Sequence, residues 1–221
     1  MNTTGYNDDV LASCDRLLVT TAVAQTGPSF EWNGRHPALD FVNTLDERLS
    51  ATPVERLNSY AALTSFARQA RLIDPNIASG LLSGTTQVEG KRVLGETLAF
   101  RELLYRVLRK YASHGAPDAS EIAALNKRLA RARLHRRFSL CPERISVTWD
   151  EPLAPDRLLW ELAAAVDDLL LQHKPGRFRK CAASDCGTLF LDVSKTGRRR
   201  WCSMVNCGNR NKVQRFRARI S

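Results

Sequence analysis

A chain of 221 residues, 43% of them apolar, can bury the core of one or two domains. No run approaches the roughly 18 uninterrupted apolar residues of a membrane-spanning helix, which excludes an integral helical membrane protein and leads us to expect a cytoplasmic chain with no membrane partner. The net charge of +10 is unevenly placed: Lys174 to Ser221 carries 13 Lys and Arg against Asp185 and Asp192, or +11, leaving −1 for the preceding 173 residues. Charge so localised reads as an electrostatic footprint for a polyanion, and its abrupt change near residue 174 as a domain boundary.

Residues 1–27 are read as a flexible tail: Leu17 to Ala24 is apolar, but Asp8, Asp9 and Asp15 stand where a secretory signal requires positive charge. The spacing of Leu39, Phe41, Val42 and Leu45 predicts a helix over His36–Glu47, with Pro37 in its first turn. Asn58 and Ser59 offer caps to a helix over Tyr60–Leu72, and Asp74 with Pro75 starts a short one. From Thr86 to Ser113, Val93, Phe100, Leu104, Val107 and Tyr111 make the stripe of a long core helix. Asp118 or Ser120 caps the next, with Ile122, Leu125, Leu129 and Leu134 expected inward and Lys127, Arg128, Arg131 and Arg133 on a solvated face. The period then changes to two. Phe138 and Leu140, then Ile145, Val147 and Trp149, joined by a turn at Pro142-Glu143-Arg144, predict a β-hairpin. A helix over Asp156–His173 follows, ended by Lys174-Pro175-Gly176. The predicted fold class is mainly α: a helical domain over 28–174 with one small β-hairpin, then over 175–221 a compact four-cysteine module that ends in a basic helix.

Cys181, Cys186, Cys202 and Cys207 form two Cys-x4-Cys pairs separated by 15 residues. Each pair places two thiolates on a tight turn, and two such turns close a tetrahedral shell around Zn2+. With four sulfurs no position is left for water or substrate, so the expected cofactor is a structural zinc ion. Two disulfides are the alternative in an oxidising compartment. Cys14 and Cys141 have no nearby partner and are read as inert. A segment of about 30 residues buries too little to fold alone, so metal is expected to supply much of its stability, with Leu189, Phe190, Val193 and Trp201 as a small core. Beyond Cys207, Val213, Phe216 and Ile220 line one strip of a terminal helix, expected to dock on the knuckles. Lys212, Arg215 and Arg219 flank the strip on one side, Arg210 and Arg217 on the other. With Lys195, Arg198, Arg199, Arg200 and Asn209 these are the candidate nucleic-acid-binding residues, since Arg and Asn suit phosphates and base edges.

The motifs carry a family resemblance. Cys181-Ala-Ala-Ser-Asp-Cys186, Leu189-Phe190-Leu-Asp192, Arg198-Arg-Arg-Trp201-Cys202-Ser-Met204 and Cys207-Gly208-Asn209-Arg210 with Lys212 resemble the CGNR zinc-finger family. Ala38-Leu-Asp-Phe-Val-Asn-Thr44 is similar to the opening of the ABATE domain that precedes this finger in bacterial proteins, and the resemblance spans about residues 30–221. It implies that the four cysteines are the zinc ligands of a bacterial, stress-related transcriptional regulator that binds double-stranded DNA through the finger. Thr188 departs from the family's pattern, standing where a larger aromatic is expected.

The helical domain would then sense a small-molecule effector or pair subunits. His36, Asp40, Asn43 and Thr44 are candidates to line an effector pocket, while the plainer reading has them serving turns and helix ends. RNA or an acidic protein surface is a second partner class, with Phe178 and Phe216 the only aromatic stacking candidates. A thiol redox sensor is a third reading, since zinc thiolates oxidise. No Gly-rich phosphate loop, His-Glu-x-x-His motif or nucleophile elbow is present, and no enzyme is expected.

Overall fold

The computed structural model describes residues 28–141 and 144–220, so the tail expected over 1–27 with Cys14, and the hairpin tip at Pro142 and Glu143, lie outside the described residues. Seven α-helices and three small antiparallel hairpins are found among the described residues, and no helix there is long and apolar enough to cross a membrane. Helix starts follow the capping residues. Helix α1 (Pro37–Val42) begins behind His36, whose Nδ1 accepts the Ala38 N–H at 3.2 Å. Ser59 caps α2 (Tyr60–Gln69), and Asp74 caps α3 (Pro75–Gly84) through two backbone N–H groups. Thr86 and Glu89 form a reciprocal capping box at the head of α4 (Gln87–Ala112). Glu121 accepts the Asp118 N–H at the start of α5 (Ala119–His135).

Helix α4 is the central pillar. Its stripe of Val93, Phe100, Leu104 and Val107 is buried, and α1, α2 and α5 pack on it. Helix α6 (Arg157–Gln172) lies against α5 and α1, burying Leu158, Leu162, Val166 and Leu169. Between α5 and α6 the predicted hairpin forms from β3 (Arg136–Cys141) and β4 (Arg144–Trp149), with Phe138 opposite Val147 and Leu140 opposite Ile145.

Two expectations fail for physical reasons. The helix expected over His36–Glu47 stops at Val42, because the Thr44 hydroxyl donates to the Phe41 carbonyl (2.7 Å) and the chain turns into β1 (Leu45–Asp46), which pairs with β2 (Val54–Glu55). That ribbon is fastened by Arg101, only 3% exposed, which donates to both carboxylate oxygens of Glu55 at 2.7 and 2.6 Å and to Thr44 Oγ1 at 3.1 Å. On α5, Leu125, Leu129 and Ala132 are buried, while Ile122 and Leu134 are exposed. Its arginines are not simply solvated: Arg128 lies over the Phe100 ring and donates to the Glu96 carbonyl, Arg131 pairs with Glu96, and Arg133 with Asp167.

The cysteine module is seated on α4. Strand β5 (Phe178–Lys180) pairs with β6 (Leu189–Leu191), and Phe178, Leu189 and Leu191 join the same buried cluster as the helices, Phe178 meeting Tyr111 edge to face. The expected separate core therefore shrinks to Phe190 and Ala183 among the cysteines with half-buried Trp201, and Val193 is 65% exposed. The outer edge of β6 is paired too. Asn43 donates to the Leu189 carbonyl (2.8 Å) and accepts its N–H (3.0 Å), and the Leu191 N–H donates to the Gly34 carbonyl (3.0 Å). A β-carbon on Gly34 would stand 2.8 Å from Leu39 Cβ, so this close approach requires glycine.

Candidate metal centre and basic surface

Cys181 follows β5, and Cys186 precedes Gly187, whose φ of +76° makes the tight turn of the first knuckle. Cys202 and Cys207 form the second, Cys207 lying on a π-turn (Met204–Gly208) that opens into α7 (Asn209–Ile220). All four thiols are buried and free, and their sulfurs lie within 4.8 Å of one another, with Cys186 to Cys202 and Cys202 to Cys207 each 3.6 Å apart. A tetrahedron with ~2.3 Å zinc–sulfur bonds has an edge of about 3.8 Å, whereas a disulfide needs about 2 Å. The donor set is that of a structural zinc site.

Its electrostatics agree. Hydrogen bonds with Cys186 and Cys202 hold the Cys181 thiol well below its ordinary range, those with Cys181 and Cys186 push Cys202 up, and burial pushes Cys207 up to about 12. Four thiols so crowded cannot all ionise without a cation, and a divalent ion removes that conflict. Thr188, which departs from the expected aromatic, places its hydroxyl 3.0 Å from Cys186 Sγ.

Arg210 reaches back from α7 to Asp185 (2.9 Å), to Cys207 Sγ (3.8 Å) and to Glu47 beside β1 (3.6 Å). Arg199 donates to the carbonyls of Trp201 and Cys202 and lies 4.4 Å over Phe190. Both are candidates for nucleic-acid contact by sequence, and both brace the knuckles. Asp192, fully buried, accepts from Ser194 N, Ser194 Oγ and Arg199 N, fixing the loop that carries Lys195 and Arg198. In the sequence Asp185 and Asp192 figure as acids in a count of charge and as members of the family motifs, with no bracing role assigned to them. The Asp-x-Ser spacing of an Asx-type turn is the available signal for Asp192.

The other basic candidates are displayed. Lys195, Arg198, Arg200 and Lys212 are exposed, and among the described residues no carboxylate lies within ion-pair range of them; the Arg200 guanidinium sits 5.3 Å from the Trp201 ring centre. Asn209 is exposed at the head of α7, Arg217 is exposed along it, and Arg215 and Arg219 belong to the same helix. The apolar strip does not dock as expected: Val213 is 49% and Phe216 67% exposed, since Phe190, Ala183 and Trp201 already fill the space between the knuckles. Phe178, a stacking candidate by sequence, is buried.

His36, Asp40, Asn43 and Thr44 serve the framework. His36 Nε2 lies 3.1 Å from Asp168, Asp40 accepts the Gly34 N–H at 2.7 Å, Asn43 pairs with Leu189, and Thr44 bridges Phe41 and Arg101. Burial raises the Asp40 carboxyl to about 7, the Gly34 N–H opposing it. A cleft of about 310 Å³ does exist beside the cysteines, but Asp46, Glu47, Arg56, Asn206 and Arg210 are among the residues that line it, not these four.

Two family models match. Residues 177–220 match the CGNR zinc finger. Residues 35–173 match ABATE, described as "Putative stress-induced transcription regulator". No curated protein matches the chain. Because the second match covers well over half of the sequence, the chain belongs to the ABATE family, and it carries a CGNR zinc finger after that domain.

Proposed function

We propose that the protein is a DNA-binding transcriptional regulator whose zinc-braced finger lays a basic surface on the duplex backbone. The observation that carries this is the division of labour among the finger's cations. Arg199 and Arg210 are consumed in bracing the knuckles, while Lys195, Arg198, Arg200 and Lys212 are held outward without acidic partners among the described residues. A surface that only aided solubility would have no reason to be stiffened by a buried Asp192 behind it. Zinc, when bound, closes the knuckles and supplies folding energy. The reading of sequence from base edges falls to Asn209 and to Arg215, Arg217 and Arg219 of α7.

The reading places the protein in the cytoplasm, with the helical domain as the regulatory part. An RNA partner is less well supported, since Phe216 is the one stacking candidate of the finger left exposed.

The test is fluorescence anisotropy of the zinc-loaded chain with duplex DNA across a salt series. Four phosphate contacts predict a log–log slope of about −4. Replacing Lys195, Arg198 and Arg200 together by alanine should reduce the slope by about three while zinc content is unchanged. Binding that ignores salt, or a triple variant that binds as well as wild type, would remove the proposal.

A further inference from the structure

The hairpin β3–β4 is built the wrong way round for a monomer. Cross-strand register puts Phe138 with Val147 and Leu140 with Ile145 on one face, and Ser139 with Ser146 and Arg137 with Thr148 on the other. The apolar face is the open one. Phe138 is 79% exposed, Leu140 69%, Ile145 70% and Val147 47%, whereas Ser139, Ser146 and Thr148 are half-buried. Leu134, at the end of α5, is exposed as well, at 71%. At its root the ribbon is anchored by tryptophan: Trp149 is buried against Trp160, and His135 stacks on Trp160 at 4.0 Å. An antiparallel ribbon in water shows the reverse pattern, apolar side inward, and a lone two-stranded hairpin is marginal there.

We infer that this face is the contact between two copies of the chain, joined face to face across a two-fold axis. Area supports the assignment. At ~150–200 Å² for a fully exposed side chain of this size, the four hairpin residues present roughly 400–530 Å² per copy, toward the upper end of what a monomer normally exposes. A pair buries roughly 800–1,050 Å², which reaches the ~1,000 Å² expected of a specific interface. The composition supports it as well. Along this face the one charged side chain among the described residues is Arg136 at the root, opposite Trp149, so a nucleic acid or an acidic partner would meet a single cation at its edge, whereas an identical apolar ladder is complementary to the rest. Two copies would bring two fingers to one duplex, but the contact lies outside the finger and does not depend on its DNA binding.

Sedimentation velocity on the full-length, zinc-loaded chain without DNA tests this over a range of about 1–100 µM. The expected result is a dimer at tens of micromolar. Ile145→Glu and, separately, Phe138→Asp should each weaken it by roughly 100-fold or more. Because both side chains are exposed in the single chain, melting temperature and zinc content of the dissociated variants should match wild type at equal low concentration. A monomeric wild type throughout the range would overturn the inference, as would a dimer that survives both substitutions. A monomer whose variants melt markedly lower would also overturn it, since the face would then be covered by the chain itself.

Discussion

Asn43→Ala is the most informative single substitution. In the folded chain the Asn43 amide satisfies both backbone groups of Leu189, donating at 2.8 Å and accepting at 3.0 Å, and Leu189 is 1% exposed. Truncation leaves a buried N–H and a buried C=O unpaired, each worth ~1–3 kcal/mol, so a loss of about 2–6 kcal/mol is expected for the pair. For a chain of this size 1 kcal/mol corresponds to ~2–4 °C, which puts the fall in melting temperature between about 4 and 24 °C. Calorimetry with excess zinc reads it directly. Asn43→Asp should be no better, because it keeps the acceptor for the Leu189 N–H but turns a carboxylate oxygen toward the Leu189 carbonyl. Zinc release to a chelator should accelerate in both variants, since β6 leads straight back to the Thr188 and Cys186 knuckle. If Asn43→Ala melts within a degree of wild type, the Asn43–Leu189 pairing is not what fastens the finger to the helices.

Four further outcomes follow from the same geometry. Asp40 titrates near 7 when folded and near 3.8 when unfolded, so the folded state holds the extra proton and stability falls as pH rises through 7; the loss between pH 6 and 8 is about 1.4 kcal/mol, and Asp40→Asn should flatten it in denaturant titrations. Gly187→Ala meets both a positive φ and contacts of 3.1 Å to Leu49 Cγ and 3.2 Å to Arg48 Cβ, so it should cost ~1–3 kcal/mol by thermal melt. Gly95→Ala, on α4 with open space around it, should instead stabilise by up to ~1 kcal/mol. Arg210→Lys cannot hold Asp185, Cys207 Sγ and Glu47 together, and zinc affinity in a competition titration should drop by ~10-fold or more with the fold retained.

What the sequence discloses is mostly local. Ser59, Asp74 and the Thr86–Glu89 box start helices where their side chains say they should, because a cap bonds within three residues of itself. The α4 stripe and the two cysteine pairs are legible for the same reason: spacing along one element decides which side chains meet. Apart from the early end of α1, which the nearby Thr44 hydroxyl sets, the failures are non-local. Nothing near Asn43 in the chain announces that its partner lies 146 residues away, and nothing near Glu55 announces Arg101. The arginines divide in the same way. Arg199 and Arg210 look like their neighbours in a list of charges, and only the folded knuckles show that one meets Phe190 and the other Asp185. The apolar strip of α7 is visible in the sequence as a strip, but whether a strip is covered depends on the room left beneath it.

Native mass spectrometry of the full chain, before and after addition of a DNA duplex, tests the central claim that a zinc-closed finger is the DNA-binding surface. The account predicts one zinc ion per chain, Cys181, Cys186, Cys202 and Cys207 all unoxidised, and duplex attached only to zinc-loaded chains. Metal-free chains that carry duplex equally well, or paired disulfides in place of the metal, would contradict it.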